Sequence, residues 1–345
     1  MISVPSRFLS KFKLNSVRSL FILVVAFFLI FLLAKNQKEE ETYSGKVMGT
    51  TWQVTLLTNK NHKNQIQNIF NGIDKAMSTY KDYSLLNEIN SLSINTFKLI
   101  NEDMIKVLEE SLRICELTNG AFNISVGRAV NTWGFGPRNK EIFDKNKLLS
   151  NTHRHSCNTY EIIDNSIYKL QDVHLDLSAI AKGYAIDKAS AYLEENNVEN
   201  YFIELGGEVS FKGKKEQGFW SIGILNPKNI YEPLFILSSK NIGDNSLATS
   251  GNYLNKKIIG ENTYSHTINP YTNLPIGDRS TLSVSVLNKS AMTADALATA
   301  LNVMGVEKGI QFANLNSIEA LYIYEEEDDM KVLSSSKMLE YFPDR

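Results

Sequence analysis

The sequence predicts an α+β fold behind an apolar amino-terminal segment, and three observations lead there. Strand-like runs come in blocks with helices interspersed, instead of the one-for-one alternation of a βαβ array. Several stretches carry apolar residues at helical spacing. The chain has 345 residues and is 43% hydrophobic, enough to bury a large core in one unit or two intertwined lobes.

Taken in order, the first segment concerns location. Arg7, Lys11, Lys13 and Arg18 accompany an uninterrupted apolar run from Leu20 to Ala34, LFILVVAFFLIFLLA. A basic flank before an apolar core marks an export signal or a signal anchor, with the basic end held in the cytoplasm. The run is about 15 residues long, and counting from Ser16 brings it near the ~20 that a membrane span takes. No small-x-small cleavage pattern closes it, because Phe31, Leu32 and Leu33 precede Ala34 and Lys35, and no cysteine directly follows for lipoprotein processing. The expectation is a cytoplasmic basic segment over 1–16, an uncleaved transmembrane anchor over 17–34 and a linker over 35–44. The globular domain, 45–345, is then expected on the extracytoplasmic, periplasmic side of the cell membrane.

KVMGTTWQVTLL, from Lys46, has strand character. Helical spacing follows over Asn64 to Met77 and again over Met104 to Leu117. Two short strands, Tyr160 to Asp164 and Ser166 to Leu170, meet at an Asp-Asn turn. A helix is predicted over Ala181 to Glu195. Strands are predicted at Tyr201 to Leu205, Glu208 to Lys212, Trp220 to Leu225 and Leu234 to Leu237. The last third adds a strand at Leu282 to Leu287, helices at Ala291 to Met304 and Val306 to Asn314, and a strand at Ala320 to Tyr324. No internal repeat or low-complexity tract interrupts this series.

A formal net charge of -2 excludes a protein built to grip nucleic acid electrostatically. The acidic runs Glu39 to Glu41 and Glu325 to Asp329 read as solvated surface or connector. The two cysteines, Cys115 and Cys157, could pair in an oxidising compartment, but they make neither a disulfide framework nor a zinc pattern. Cys115 falls at an apolar position of a predicted helix, so a buried free thiol is expected there.

Four polar-rich segments do not read as simple core. In LDLSAIAKGYAID (175–187), Asp176 and Ser178 precede an apolar-periodic run, where a helix should start. Lys182 beside exposed backbone N–H groups would suit an anion, and the small Ala179, Ala181 and Gly183 would let a ligand approach the backbone. An ordinary capped helix is the alternative. In SAMTADALATALNVMG (290–305), Asp295 and Thr299 stand at i and i+4, so both oxygens leave one helical face. That hard-oxygen pair suits Mg2+ or Ca2+, and the alanines around it would leave room for a bulky ligand; a tightly packed alanine-rich helix is the alternative. In YSHTINPYTNLPIG (264–277), His266 lies in a predicted strand ahead of two proline turns, as a base, a phosphate donor or a satisfied core residue. The glycines and aromatics of TNGAFNISVGRAVNTWGFGP (118–137) suit a tight loop walling a flat ring, or packing. Neither a GxGxxG fingerprint after a first strand nor a P-loop is present.

Together the segments say more. MGTTW (48–52), MSTYKDYSLLNEIN (77–90), GAFNISVG (120–127), WGFGP (133–137), DLSAIAKGYAID (176–187), ELGGEV (204–209), ATSGNY (248–253), SHTINP (265–270) and MTADALATAL (292–301) run in order along the chain. In this series the sequence resembles the ApbE family of FAD:protein FMN transferases. The resemblance implies a T-fold-like α+β domain with FAD and Mg2+ in a cleft between lobes. It also implies export, which agrees with the amino-terminal reading.

Carried over residue by residue, the resemblance makes Met48 and Tyr80 flavin contacts and sets Ala121, Phe122 and Asn123 in the family's Ala-Phe-Asp loop. Asn123 replaces the more usual Asp, keeping hydrogen bonding and losing charge. Asp176 and Lys182 match FAD-binding positions, and Ile268 a backbone flavin contact. Ala179 matches a backbone-carbonyl ligand of Mg2+, with Asp295 and Thr299 as side-chain ligands. His266 is the candidate catalytic histidine.

The implied reaction moves FMN from FAD onto a Ser/Thr hydroxyl of an acceptor, in a short Ser/Thr-Gly-Ala-Thr-like motif, and releases AMP. The implied acceptors are flavin-bearing subunits of membrane redox complexes, such as ion-pumping NADH:quinone reductases, or extracellular flavoproteins. Two other readings stand beside transfer: hydrolysis of FAD to FMN and AMP, and a non-enzymatic FAD-binding module.

Overall fold

The computed structural model describes residues 38–137, 156–253, 256–259, 262–277 and 281–342, together with Val25. The expected 1–16 segment and the 17–34 anchor otherwise lie outside these residues. Among the described residues no helix is long and apolar enough to cross a membrane.

The chain opens with a hairpin, β1 (Glu39–Val47) and β2 (Thr50–Thr58), followed by helices α1 (Lys63–Met77) and α2 (Leu85–Asn90). A short strand β3 (Phe97–Leu99) leads into α3 (Glu102–Leu117) and α4 (Gly127–Thr132). The pair β4 (Tyr160–Ile163) and β5 (Ser166–Lys169) precedes α5 (Ala181–Glu195). Strands β6 (Tyr201–Leu205), β7 (Glu208–Lys212), β8 (Ser221–Asn226) and β9 (Asn229–Ser238) then run to a one-turn helix, α6 (Ser239–Ile242). Next come β10 (Asn245–Gly251), β11 (Lys256–Ile259), β12 (Asn262–Asn269), β13 (Leu274–Gly277) and β14 (Thr281–Asn288). The end is α7 (Ala291–Met304), α8 (Val306–Leu315), β15 (Glu319–Glu326), β16 (Asp329–Ser334) and α9 (Ser336–Leu339).

One antiparallel sheet organises these elements, in the order β1-β2-β6-β7-β10-β14-β15-β16. Its central strand β7 shows why two layers cover it. Glu208 and Ser210 face the helices, while Val209 and Phe211 face the other way, and all four are buried. On the helix side, α1, α3, α5, α7 and α8 build the larger core, with Trp52, Phe70, Phe122 and Tyr322 among its largest side chains. On the opposite side the β8–β9 hairpin and α9 cover a second core around Phe211, Trp220, Phe235 and Met338. Smaller sheets, β3-β5-β4 and β11-β12-β13, stand apart from the main one. Strands in blocks over a helical layer make this an α+β fold, as the sequence predicts.

The strand character of Lys46 to Leu57 is borne out, as two strands: Val47 pairs with Thr50, and Met48-Gly49 forms a two-residue turn with positive φ at both residues (50° and 73°). Such a turn matches the twist of the flanking strands. Two expectations are corrected. The linker expected over 35–44 is strand from Glu39 onward, since pairing of Glu39 with Thr58 and Glu41 with Leu56 satisfies its backbone despite polar side chains. The free thiol expected at Cys115 is a disulfide to Cys157, with the two Cα atoms 5.8 Å apart. Cys115 is buried, as its helical position predicts, but its partner stands 42 residues away and only the fold brings it near.

Candidate functional site

A cleft of about 610 Å³ opens where the edges of these layers meet. That is within the ~300–1,000 Å³ typical of small-molecule sites. Met48, Tyr80, Ala121, Phe122, Asn123, Asp176, Ala179, Lys182, His266, Ile268, Asp295 and Thr299 all line it. The structure therefore gathers every site residue named from the sequence, from segments spread over most of the chain.

Helices α5 and α7 form the floor, and they touch at a glycine. A Cβ on Gly183 would lie 2.3 Å from the Ala291 carbonyl oxygen, so only glycine lets α7 come this close. The approach has a chemical result: the Gly183 N–H donates to Asp295 Oδ2 at 3.2 Å. This corrects the sequence reading of the segment. Gly183 makes room for a second helix and not for a ligand, and Asp295 occupies one of the N–H groups assigned to an anion. The helix starts at Ala181 with no side-chain cap, while Asp176 Oδ1 closes a local turn by accepting the Ser178 N–H at 2.8 Å. The alanines of α7 are likewise core: Ala294, Ala296, Ala298 and Ala300 are buried in the helix–sheet layer, leaving Asp295 and Thr299 to reach the cleft.

Lys182 adds a charged node. Its Nζ donates to Glu208 Oε1 at 2.6 Å, so it is ion-paired and not a solitary cation. Burial works against its charge, but Asp295 and Glu208 more than offset that and hold its pKa above the ordinary lysine value. Burial, with Asp295 adding to it against the pull of Lys182, pushes the Glu208 carboxyl up to about 7. Burial also raises the Asp295 carboxyl, against Lys182 and the Gly183 N–H. Two buried carboxyls thus share one lysine, leaving the node short of positive charge.

The walls carry the remaining residues. Asn123 donates from Nδ2 to the Ser156 carbonyl at 3.3 Å and accepts the Ser125 N–H at 2.9 Å. An aspartate could not make the first bond, so Asn123 ties the loop to the segment beside Cys157. Asp176 enters the wall next to it through its N–H, which donates to the Ile124 carbonyl at 2.7 Å. Exposed Tyr80 reaches across the mouth, its hydroxyl donating to the Phe135 carbonyl at 3.4 Å. Lys257 lies 5.0 Å from the centre of the Phe135 ring. Ile268 is buried against Trp133 and Ala129. His266 stands one turn of the pleat away on β12, where the pairing with β13 slips between Tyr264 and Ile268. Such irregularities re-aim side chains, here toward the cleft.

Sequence reasoning missed Glu208, Phe135 and Lys257 as individual residues. Glu208 had a signal: an acid inside the strand run of ELGGEV, where its neighbours predict burial. Phe135 sat within WGFGP without a role, and Lys257 gave no signal at all.

Among the described residues no group of three or more His, Cys, Asp or Glu side chains is placed to hold a metal ion. The α7 pair is of another kind: the Asp295 carboxyl and the Thr299 hydroxyl, both lining the cleft. Beside it lies the buried Oε2 of Glu208, which has no hydrogen-bond donor. Two carboxyls with one lysine and an oxygen lacking a donor fit a hard divalent cation. Mg2+ in particular takes few protein ligands and completes its shell with water and substrate phosphates.

Comparison with known proteins gives a consistent picture. The model of the ApbE family matches residues 48–322. A protein of Vibrio cholerae named FAD:protein FMN transferase is 35% identical over 332 residues, covering 91% of this chain and 96% of its own. One of the same name from Haemophilus influenzae is 34% identical over 336 residues, covering 91% and 95%. Among solved structures, the flavin transferase ApbE from Vibrio cholerae superposes with a TM-score of 0.78 at 33% identity, covering 88% of this chain and 99% of that one. The apo form of the Pseudomonas stutzeri flavinyl transferase ApbE gives 0.80 at 27% identity, covering 89% and 98%.

Proposed function

The chain belongs to the ApbE family, and from that premise we propose that it is an FAD:protein FMN transferase acting on a Ser/Thr hydroxyl of an acceptor flavoprotein. The observation that carries the reading is the meeting of Asp295 and Thr299 from α7 with Lys182 from α5 in one cleft. That node is suited to a pyrophosphate, and the Ala121–Asn123 loop and Tyr80 offer walls for a flat ring.

In the reaction, the acceptor hydroxyl oxygen forms a bond to the FMN phosphorus of FAD. The phosphoanhydride bond breaks, and AMP leaves with the electron pair. His266 takes the hydroxyl proton, the work of a group whose ordinary pKa lies near neutrality. Lys182, kept charged by its two carboxyl neighbours, donates toward the pyrophosphate oxygens. Asp176 and the Ala121–Asn123 loop orient the donor substrate, and Tyr80 with Phe135 narrows the mouth against water. Asp295, Thr299 and the Ala179 carbonyl would hold Mg2+, which supplies charge neutralisation at the breaking bond.

The setting follows from the same reading. The basic-then-apolar amino terminus supports a membrane anchor. The Cys115–Cys157 disulfide supports an oxidising, extracytoplasmic compartment for the domain. Acceptors there are flavin-bearing subunits of membrane redox complexes or extracellular flavoproteins.

The test uses the full chain in detergent with FAD, Mg2+ and a protein bearing a Ser/Thr-Gly-Ala-Thr-like motif, followed by intact mass. The expected result is an acceptor mass gain matching FMN, with equimolar AMP, abolished by EDTA. Asp295→Ala is expected to lower the rate at limiting Mg2+ by about a hundredfold or more, and His266→Ala to lower it about a hundredfold at any Mg2+ level. AMP released without a mass gain would replace transfer by hydrolysis, and unchanged FAD would leave only binding.

A further inference from the structure

We propose that Asp187 is a positioning residue for the Asp295–Thr299 pair: it locks the first turn of α7 onto α5 and so sets where the two oxygens enter the cleft. The inference rests on the reading of that pair as metal ligands.

Asp187 lies one helical turn beyond Gly183, on the same face of α5. Its carboxylate accepts from the Ser290 hydroxyl at 2.6 Å, the Ala291 N–H at 2.7 Å and the Met292 N–H at 3.1 Å. Ser290 Oγ in turn accepts the Thr293 N–H at 3.1 Å. The opening donors of α7 are therefore all held inside the protein, so this helix end is a joint and offers nothing to a ligand. Burial raises the Asp187 carboxyl, while Ser290 and the Met292 and Ala291 N–H groups favour its charged form.

The joint bears on the cleft through helix geometry. Ala291, Asp295 and Thr299 follow one another at four-residue steps down α7, so the held N–H and both oxygens share a stripe. At 3.6 residues per turn, a slip of α7 by one residue would swing Asp295 by roughly 100° and take it out of the cleft. Gly183 limits the approach from the same side, since its missing Cβ is what admits the Ala291 carbonyl. Two contacts one turn apart on α5 thus fix both the distance and the rotation of α7.

The experiment compares Asp187→Ala and Asp187→Asn with wild type and with Met338→Ala, a truncation in the second core far from the cleft. Mg2+ and Mn2+ affinity are measured by calorimetry on the full chain, beside thermal stability and the Mg2+ dependence of FMN transfer. Asp187→Ala is expected to weaken metal binding about tenfold, the scale of losing an outer-shell partner, with transfer largely restored at saturating Mg2+. Asp187→Asn keeps one acceptor oxygen and is expected to lose only a few-fold. Met338→Ala should lower stability and leave metal affinity as in wild type. If both Asp187 variants lose stability and bind metal as wild type does, Asp187 is a cap alone and the inference is overturned. Where Asp187→Ala fails to fold, Asp187→Asn and Ser290→Ala decide by the same criterion. A wild-type chain that binds no divalent cation would instead sink the metal reading itself.

Discussion

At Glu208, burial and charge act against each other in a way that stability measurements can read. Its carboxyl is pushed from an ordinary 4.5 up to about 7. The folded protein therefore holds this proton more tightly than the unfolded chain does. The stability it contributes is fully present below about pH 4.5 and is lost as pH rises toward about 7. Asp295, raised as well, acts in the same direction, whereas the raised Lys182 matters only at alkaline pH. In EDTA, thermal stability of the wild type is expected to fall between pH 5 and pH 7, and Glu208→Gln to flatten that slope; parallel slopes would rule the assignment out. Asn123 makes a second residue-scale case. Asn123→Asp removes the donor to the Ser156 carbonyl. A loss of about 1–2 kcal/mol in denaturant unfolding, with no gain in transfer rate, is the expected outcome.

Elements bring these residues together, and the disulfide is the clearest example. Cys115 lies in the last turn of α3, and Cys157 follows Ser156, whose carbonyl Asn123 holds, so the cross-link and the amide clamp the same wall. Cys115→Ser is expected to cost about 2–4 kcal/mol in denaturant unfolding and to weaken FAD binding through the loosened Ala121–Asn123 loop. Unchanged FAD affinity would confine the bond to stability. The hairpin turn shows local geometry serving the site in another way. Met48 carries positive φ, which a long side chain rarely adopts, and it does so where the turn meets the cleft. Strain held at such a position is characteristic of functional surfaces.

Over the whole molecule, the eight-stranded sheet joins segments that are far apart in sequence, and its first edge is β1. Gly45 stands within β1, so cutting the chain there would remove the paired residues Glu39 to Ser44. That would uncover the backbone of β2 on a hydrophobic edge. A chain starting at Lys38 is expected to stay monomeric and soluble, whereas one starting at Gly45 should aggregate, as light scattering on heating would show.

Much of this was legible in the sequence for a physical reason. Runs of apolar and small residues, with glycines where they stop, are local signals, so α5 and α7 were read with the bounds they have, and β6 and β7 likewise. The i, i+4 spacing of Asp295 and Thr299 is equally local, and the ordered motifs carried the family and the residues of the cleft. What has no period could not be read. Gly183 answers to Ala291, Lys182 to Glu208, and Cys115 to Cys157, each across a distance along the chain at which local spacing carries no information. β1 was hidden because backbone pairing, not side-chain burial, makes Glu39 to Glu41 a strand. The sequence by itself thus determined many of the elements, the family and the residues that come to line the cleft. The tertiary structure decided which of them pair, because a close approach, an ion pair or a cross-link is a property of two surfaces and is written in neither segment alone.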